Sequence, residues 1–120
     1  MKKRYIFGSI SHSSMRDVDL LDNFSKALRY LAITNKQYDK KYESIFKEAI
    51  KYRDFLIKYE NKLRKKHHEK LFETVSHTVS YIIEDLVSAL NEFAPPNYFF
   101  GSHPDDSSDY GFWLSEENES

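Results

Sequence analysis

The sequence predicts an α+β fold: a three-stranded antiparallel sheet formed by the N-terminal strand and a C-terminal β-hairpin, packed on three helices that include a long antiparallel helical hairpin. Three observations predict it. Between Asp17 and Ala94 there is neither glycine nor proline, and apolar residues recur there every three or four positions, the repeat of amphipathic helices. From Pro95 to Leu114 the chain instead holds all three prolines, two of the three glycines, the only tryptophan and six of the nineteen aromatics, a mixture of turn formers and β-formers foreign to a core helix. A two-stranded ribbon buries little alone, so the β-rich N-terminus is its natural third strand.

In order, Lys3 to Ser11 reads as a strand built on Tyr5-Ile6-Phe7 and Ile10, with Gly8 marking a bulge or a close neighbour. Ser14 and Asp17 form a shortened capping box for a helix over Asp17 to Ile33, whose apolar positions are Leu20, Leu21, Phe24, Leu28 and Leu31. Thr34, with Gln37 reaching back, caps a second helix over about residues 36–64. Its positions Tyr38, Tyr42, Ile45, Ala49, Tyr52, Leu56, Tyr59 and Leu63 alternate by four and three, as in a coiled-coil seam. A second seam follows at Phe72, Val75, Val79, Ile82, Leu86, Ala89 and Phe93. The phase breaks between Leu63 and Phe72, with the wholly polar run Arg64 to Glu69 between them, so two antiparallel helices joined near residues 65–69 are expected, with a single bent helix as the alternative. A helix of that length outreaches a compact domain, so the hairpin should project, and a second subunit could cover part of it. Asn97 to His103 and Tyr110 to Ser115 are strands around a polar loop at Asp105–Asp109. One domain spans residues 1–115, and 116–120 reads as a disordered acidic tail.

The composition excludes several classes. No apolar run approaches the roughly 20 residues of a membrane span, and the start MKKRYIFGSI lacks the apolar core and cleavage site of a signal peptide. There is no cysteine, hence no disulfide and no thiolate metal site. A cytoplasmic protein is expected. The net charge of −1 hides a polarity: residues 36–70 carry twelve basic and six acidic groups, whereas 71–120 carry ten acidic groups and no basic one. Such asymmetry marks a nucleic-acid face or an acidic interaction surface, or else two halves that neutralise each other within the fold or across a dimer.

Two blocks carry a resemblance. Ile10-Ser11-His12-Ser13-Ser14-Met15-Arg16, followed by Asp19-Leu20-Leu21 and Phe24, resembles the opening of a family of small uncharacterised bacterial and phage proteins. Leu90 to Pro96, Tyr98-Phe99-Phe100-Gly101-Ser102-His103-Pro104 and Asp109-Tyr110-Gly111-Phe112-Trp113 resemble that family's close. The blocks cover about a third of the chain, at both ends. Asp105 and Ser107 stand where the family has glycines, which argues against a glycine cradle for phosphate. The resemblance implies a phage or mobile-element setting, a bacterial host cytoplasm, and a role against host defence.

Candidate sites follow from the same residues. His12 and His103 with Asp105, Asp106 and Asp109 could bind a metal or act as acid and base. However, no HxH, HxxxH or HExxH spacing occurs, and Asp and Ser in loops ordinarily bond their own backbone. No nucleophile elbow or P-loop is present. No metal, cofactor or catalytic residue is assigned. A small anionic or nucleotide-like ligand could meet His12, Arg16, His103, Asp109, Tyr110 and Trp113, provided the aromatics are not simply core. The run Lys62 to Lys70 is the densest basic cluster, but it falls at a helix turn without a recognition-helix pattern, so nucleic acid is not the expected partner. The tyrosines Tyr38, Tyr42, Tyr52 and Tyr59 bring hydroxyls to a helical seam, as protein interfaces do, or else belong to the hairpin itself with their hydroxyls at its rim. The expected function is therefore non-enzymatic binding of a host protein through the tyrosine surface or the aromatic hairpin. Small-ligand binding is the second reading and acid–base catalysis the third.

Overall fold

Leu20, Leu21, Phe24, Leu28 and Leu31 recur at helical spacing, and all are buried along one stripe of the first helix, α1 (Asp17–Thr34). The computed structural model describes residues 3–63 and 68–115. Around α1 the chain runs β1 (Gly8–Ser11), α1, α2 (Lys40–Leu63), α3 (Glu69–Asn91), β2 (Tyr98–His103) and β3 (Asp106–Leu114). The three strands form one antiparallel sheet in the order β1-β3-β2, so both chain ends meet in a single layer. This is the α+β architecture that the sequence predicts.

The two heptad-like seams form the helical hairpin. Tyr42, Ala49 and Leu56 of α2 are buried, as are Val75, Val79, Ile82, Leu86 and Ala89 of α3 and Phe93 just beyond it. Tyr42 near the start of α2 meets Phe93 at 5.3 Å between ring centroids. Tyr59 near the end of α2 shares a groove with Leu71 near the start of α3. The helices are thus antiparallel, and a single bent helix is excluded. The expected reversal near 65–69 falls largely on residues 64–67 and the acidic tail on 116–120, outside the described residues. The molecule is elongated, 52 × 34 × 18 Å.

The element ends differ from expectation, because side-chain caps compete and the chain path selects among them. Ser14 does not form the expected box with Asp17: its hydroxyl donates to Asp19 at 2.6 Å and accepts from the Arg16 N–H at 3.3 Å, and Arg16 occupies the N-cap position of α1 with no side-chain capping bond. Thr34 ends α1 instead of opening α2, its hydroxyl donating back to the Tyr30 carbonyl at 2.8 Å. The exit is a Schellman turn with Lys36 at φ 58° and bonds from Lys36 N to the Ile33 carbonyl and from Gln37 N to the Ala32 carbonyl. Asp39 then caps α2, its carboxylate accepting from the N–H groups of Lys41 and Tyr42.

The expected N-terminal strand pairs only over Gly8–Ser11. Gly8 takes φ 86°, which turns the chain out of the sheet. Upstream, the Arg4 backbone bonds to the Asn35 side chain. In the C-terminal hairpin β3 starts earlier than expected. His103 pairs with Asp106 across a turn at Pro104–Asp105, and Ser107 to Asp109 form an insertion before Tyr110 pairs with Ser102. The entry to β2 is a turn closed by Tyr98 N on the Pro95 carbonyl, with Asn97 at φ 70°.

Candidate functional site

Period-two alternation gives the sheet two unlike faces. One face packs on the helices. Phe100 and Phe112 are buried there, and Phe24 of α1 meets Phe100 at 5.1 Å and Tyr110 at 5.2 Å, both edge to face. The other face carries Phe99, Gly101 and His103 of β2, and Gly111 and Trp113 of β3. Phe99 and Trp113 stand directly opposite each other. Both are half-buried, yet neither belongs to the hydrophobic core or to the apolar residues packed against it. Among the described residues no helix covers this face.

The two glycines shape it. At Gly101 the Phe99 ring lies so close that a Cβ would stand 3.2 Å from it. Trp113 leans the same way, and its indole N–H donates to the Gly101 carbonyl at 2.9 Å. At Gly111 a Cβ would fall on the Gly8 carbonyl, so β1 approaches β3 only because that side chain is missing. Gly101 is thus covered by the Phe99 ring and Gly111 by the β1 backbone, and the two aromatic side chains form the surface of this face.

The turn end of this face is polar. The His103 and Trp113 rings meet nearly perpendicular, 4.6 Å between centroids. Its Nδ1 accepts from the Asp105 N–H at 3.0 Å, which leaves the proton of the neutral ring on Nε2. Asp106 accepts from the hydroxyl and the N–H of Ser108. Those bonds, with smaller contributions from the charges of His103 and His12, hold its carboxyl below the ordinary range. Asp109 accepts from the Ser9 hydroxyl at 2.6 Å and so ties β3 to β1.

The six residues expected around a small ligand therefore divide. His103 pairs with Asp106 across the turn, His12 adds only a small charge effect on Asp106, and His103, Trp113 and Asp109 share the open side of the sheet. Tyr110 does not join them: three positions before Trp113, it lies on the opposite face against Phe24. Arg16 lines a separate cleft of about 210 Å³ with Met15, Asp17, Leu56 and Phe72. No single anion pocket is assembled from this set. Among the described residues no group of histidines and carboxylates could hold a metal ion.

The tyrosine seam is the hairpin's own interface. Tyr42 is buried, and its hydroxyl donates to Glu92 at 2.6 Å. Tyr38, Tyr52 and Tyr59 are half-buried against the core. Lys51 lies over the Tyr52 ring, and Lys58 and Lys62 lie over that of Tyr59. Of the basic run, Lys62 and His68 border an apolar groove of about 250 Å³ lined by Phe55, Tyr59 and Leu71. Phe99 is the site residue that the sequence reading leaves out. Its signal was available in the alternation of residues 98–103, which puts Phe99 and His103 on one face and Phe100 on the other.

No protein-family model matches this chain, and neither a curated protein nor a solved structure matches it.

Proposed function

We propose that this is a non-enzymatic binding protein whose partner, another protein, docks on the open face of the sheet around Trp113 and Phe99. One observation carries the reading: two large aromatic side chains outside the core share a sheet face that no described helix covers. Trp113 is also held in place, by its bond to the Gly101 carbonyl and by the His103 ring, so docking would freeze little further side-chain motion. Aromatic anchors of this kind dominate the energetics of protein interfaces. The tyrosine seam, turned inward, supports the fold and not the docking. The likeness of the two end blocks to small bacterial and phage proteins puts the partner among host proteins, with a defence component as the specific proposal.

A photo-crosslinking amino acid placed at Phe99 or Trp113, which share the open face, in the full chain expressed in a bacterial host tests this. Discrete adducts are expected from the sheet positions and none from Tyr81, which is 67% exposed on the outer face of α3. Adducts from Tyr81 alone, or from none of the three, would remove the proposal.

A further inference from the structure

The chemistry of the open face goes further than its shape. No strand contains a lysine or an arginine. Residues 71–120, which include two of the three strands, hold ten acidic groups and no basic one. Three of those carboxylates, Asp105, Asp106 and Asp109, gather at the turn end of the sheet beside His103. Asp106 is ionised well below neutrality, since two bonds from Ser108 stabilise its charged form. Next to them lies the aromatic pair Phe99 and Trp113. A flat aromatic floor with carboxylates at one end complements a side chain that is both planar and cationic. An anionic segment would be repelled at the same end. A purely apolar one would leave the charge of the carboxylates unneutralised.

The helices show the chain's own cations already using this mode. Arg29 lies over Phe46 at 5.6 Å, Lys51 over Tyr52 and Lys58 over Tyr59. The sheet aromatics have no such partner within their own strands.

We infer that the segment docking on this face is cationic, an arginine-bearing stretch of a partner protein laid along β2 and β3, with guanidinium groups over Trp113 and Phe99 and toward Asp105, Asp106 and Asp109. This rests on the face being a docking site at all.

Trp113 is the only tryptophan, so its emission reports on this face alone. The test titrates the full chain with a ten-residue peptide alternating arginine and glycine, with the same peptide carrying citrulline for arginine, and with its glutamate counterpart. The arginine peptide is expected to change Trp113 emission saturably, and binding should weaken steeply as salt rises. Citrulline keeps the shape and loses the charge, so it should bind at least about tenfold more weakly, and glutamate should not bind. Phe99→Leu keeps an apolar side chain and should also weaken binding about tenfold, which mere attraction to an acidic turn would not do. Asp105→Asn combined with Asp106→Asn should remove most of the salt dependence. Equal binding of the citrulline peptide, binding of the glutamate peptide, or an unchanged Kd in Phe99→Leu would each overturn the inference. If the arginine peptide fails while adducts still form from Phe99, the charge assignment falls and the docking face stands. If both fail, both fall.

Discussion

Two asparagines perform one task at two places. Asn35 follows the last residue of α1, and Asn91 is the last residue of α3. Asn91 Oδ1 accepts from the Phe100 N–H at 2.7 Å, and Nδ2 donates to the Phe100 carbonyl at 3.1 Å and to the Val87 carbonyl at 3.3 Å. Asn35 does the same for Arg4, accepting at 2.8 Å and donating at 2.9 Å, and it also donates to the Leu31 carbonyl. Each amide thus imitates one rung of a β-ladder. On β2 that rung closes part of an edge that would otherwise offer free pairing groups. Phe100 is 2% exposed, so Asn91→Ala leaves a buried N–H and C=O unsatisfied and should cost about 2–3 kcal/mol in urea unfolding. Asn35→Ala should cost less, about 1 kcal/mol, because the Arg4 backbone is exposed and water can replace the amide. Equal losses at the two positions would contradict this account. Gly111→Ala is a sharper test. The new methyl would meet the Gly8 carbonyl, which is backbone and cannot turn aside. A loss of more than about 2 kcal/mol is expected, with β1 detached as read by hydrogen exchange at Ser9 and Ser11. Neither asparagine announces this role in the sequence, because the amide's partner is set by where the chain returns and not by local spacing.

At the scale of elements, the hairpin was the most legible part. A seven-residue repeat over Tyr42, Ala49 and Leu56, and a strict four-three repeat over Val75, Val79, Ile82, Leu86 and Ala89, allow only one inward stripe, and that is the buried one. Its ends were poorly legible, since Ser14 and Thr34 each had a competing local bond, to Asp19 and to the Tyr30 carbonyl. Polar struts then fix the register of the helices. Arg53 of α2 pairs with Asp22 of α1 at 2.6 Å. Burial raises the Asp22 pKa, but the hydrogen bonds from Lys26 and Arg53 outweigh it and leave the group below its ordinary value. Lys41 and the Tyr42 hydroxyl both bond Glu92, joining the start of α2 to the end of α3. Burial, and then the bond to Glu92, push Tyr42 from 10.0 up to about 12. Its contribution is therefore complete below pH 10 and disappears as pH rises through about 12. Glu92 goes the other way. The bonds from Lys41 and Tyr42 depress its pKa, so its contribution is present above the ordinary value of 4.5 and is lost as pH falls through the lower folded value. Titration of tyrosinate absorbance should show one of the nine tyrosines ionising late, together with hairpin unfolding. Tyr42→Phe should abolish that late step, cost about 1 kcal/mol near neutrality and raise the Glu92 pKa. A late step that survives in Tyr42→Phe would assign it elsewhere.

For the whole molecule, what matters is that its two ends make one sheet, since β1 and β3 are a hundred residues apart at the Ser9–Asp109 bond. The sequence made the closure legible, because a lone aromatic hairpin needs a third strand. It left the strand order and the site partly hidden. Gly8 and Gly111 signal close approach without naming each other, and a pocket drawn from neighbours in sequence put Tyr110 beside Trp113, where alternation forbids it. The closure has a consequence for truncation. Removing residues 1–11 strips β3 of its β1 partner and withdraws the Ser9 hydroxyl from Asp109 and the Ser11 hydroxyl from Asn23. The helices keep most of their own core, since the helical residues Leu28, Leu31, Val79 and Leu86 are fully buried. Far-UV circular dichroism of the shortened chain should therefore stay strongly helical. The row of N–H and C=O groups on β3 that faced β1 would become an unprotected edge next to exposed aromatics, the arrangement that recruits another chain. Light scattering should then show self-association beyond that of the full chain, and Trp113 emission should change without loss of helix. Lysine at Tyr110 or Ser108 would not separate the possibilities, because either also disturbs the insertion in β3. Adding back residues 3–11 as a free peptide does, since it restores only the missing edge. Recovery of the Trp113 emission and of the size of the full chain on adding that peptide is expected. Persistence of both in the shortened chain without it would mean that β3 needs no neighbour and that the sheet is held by β2 and α3 alone.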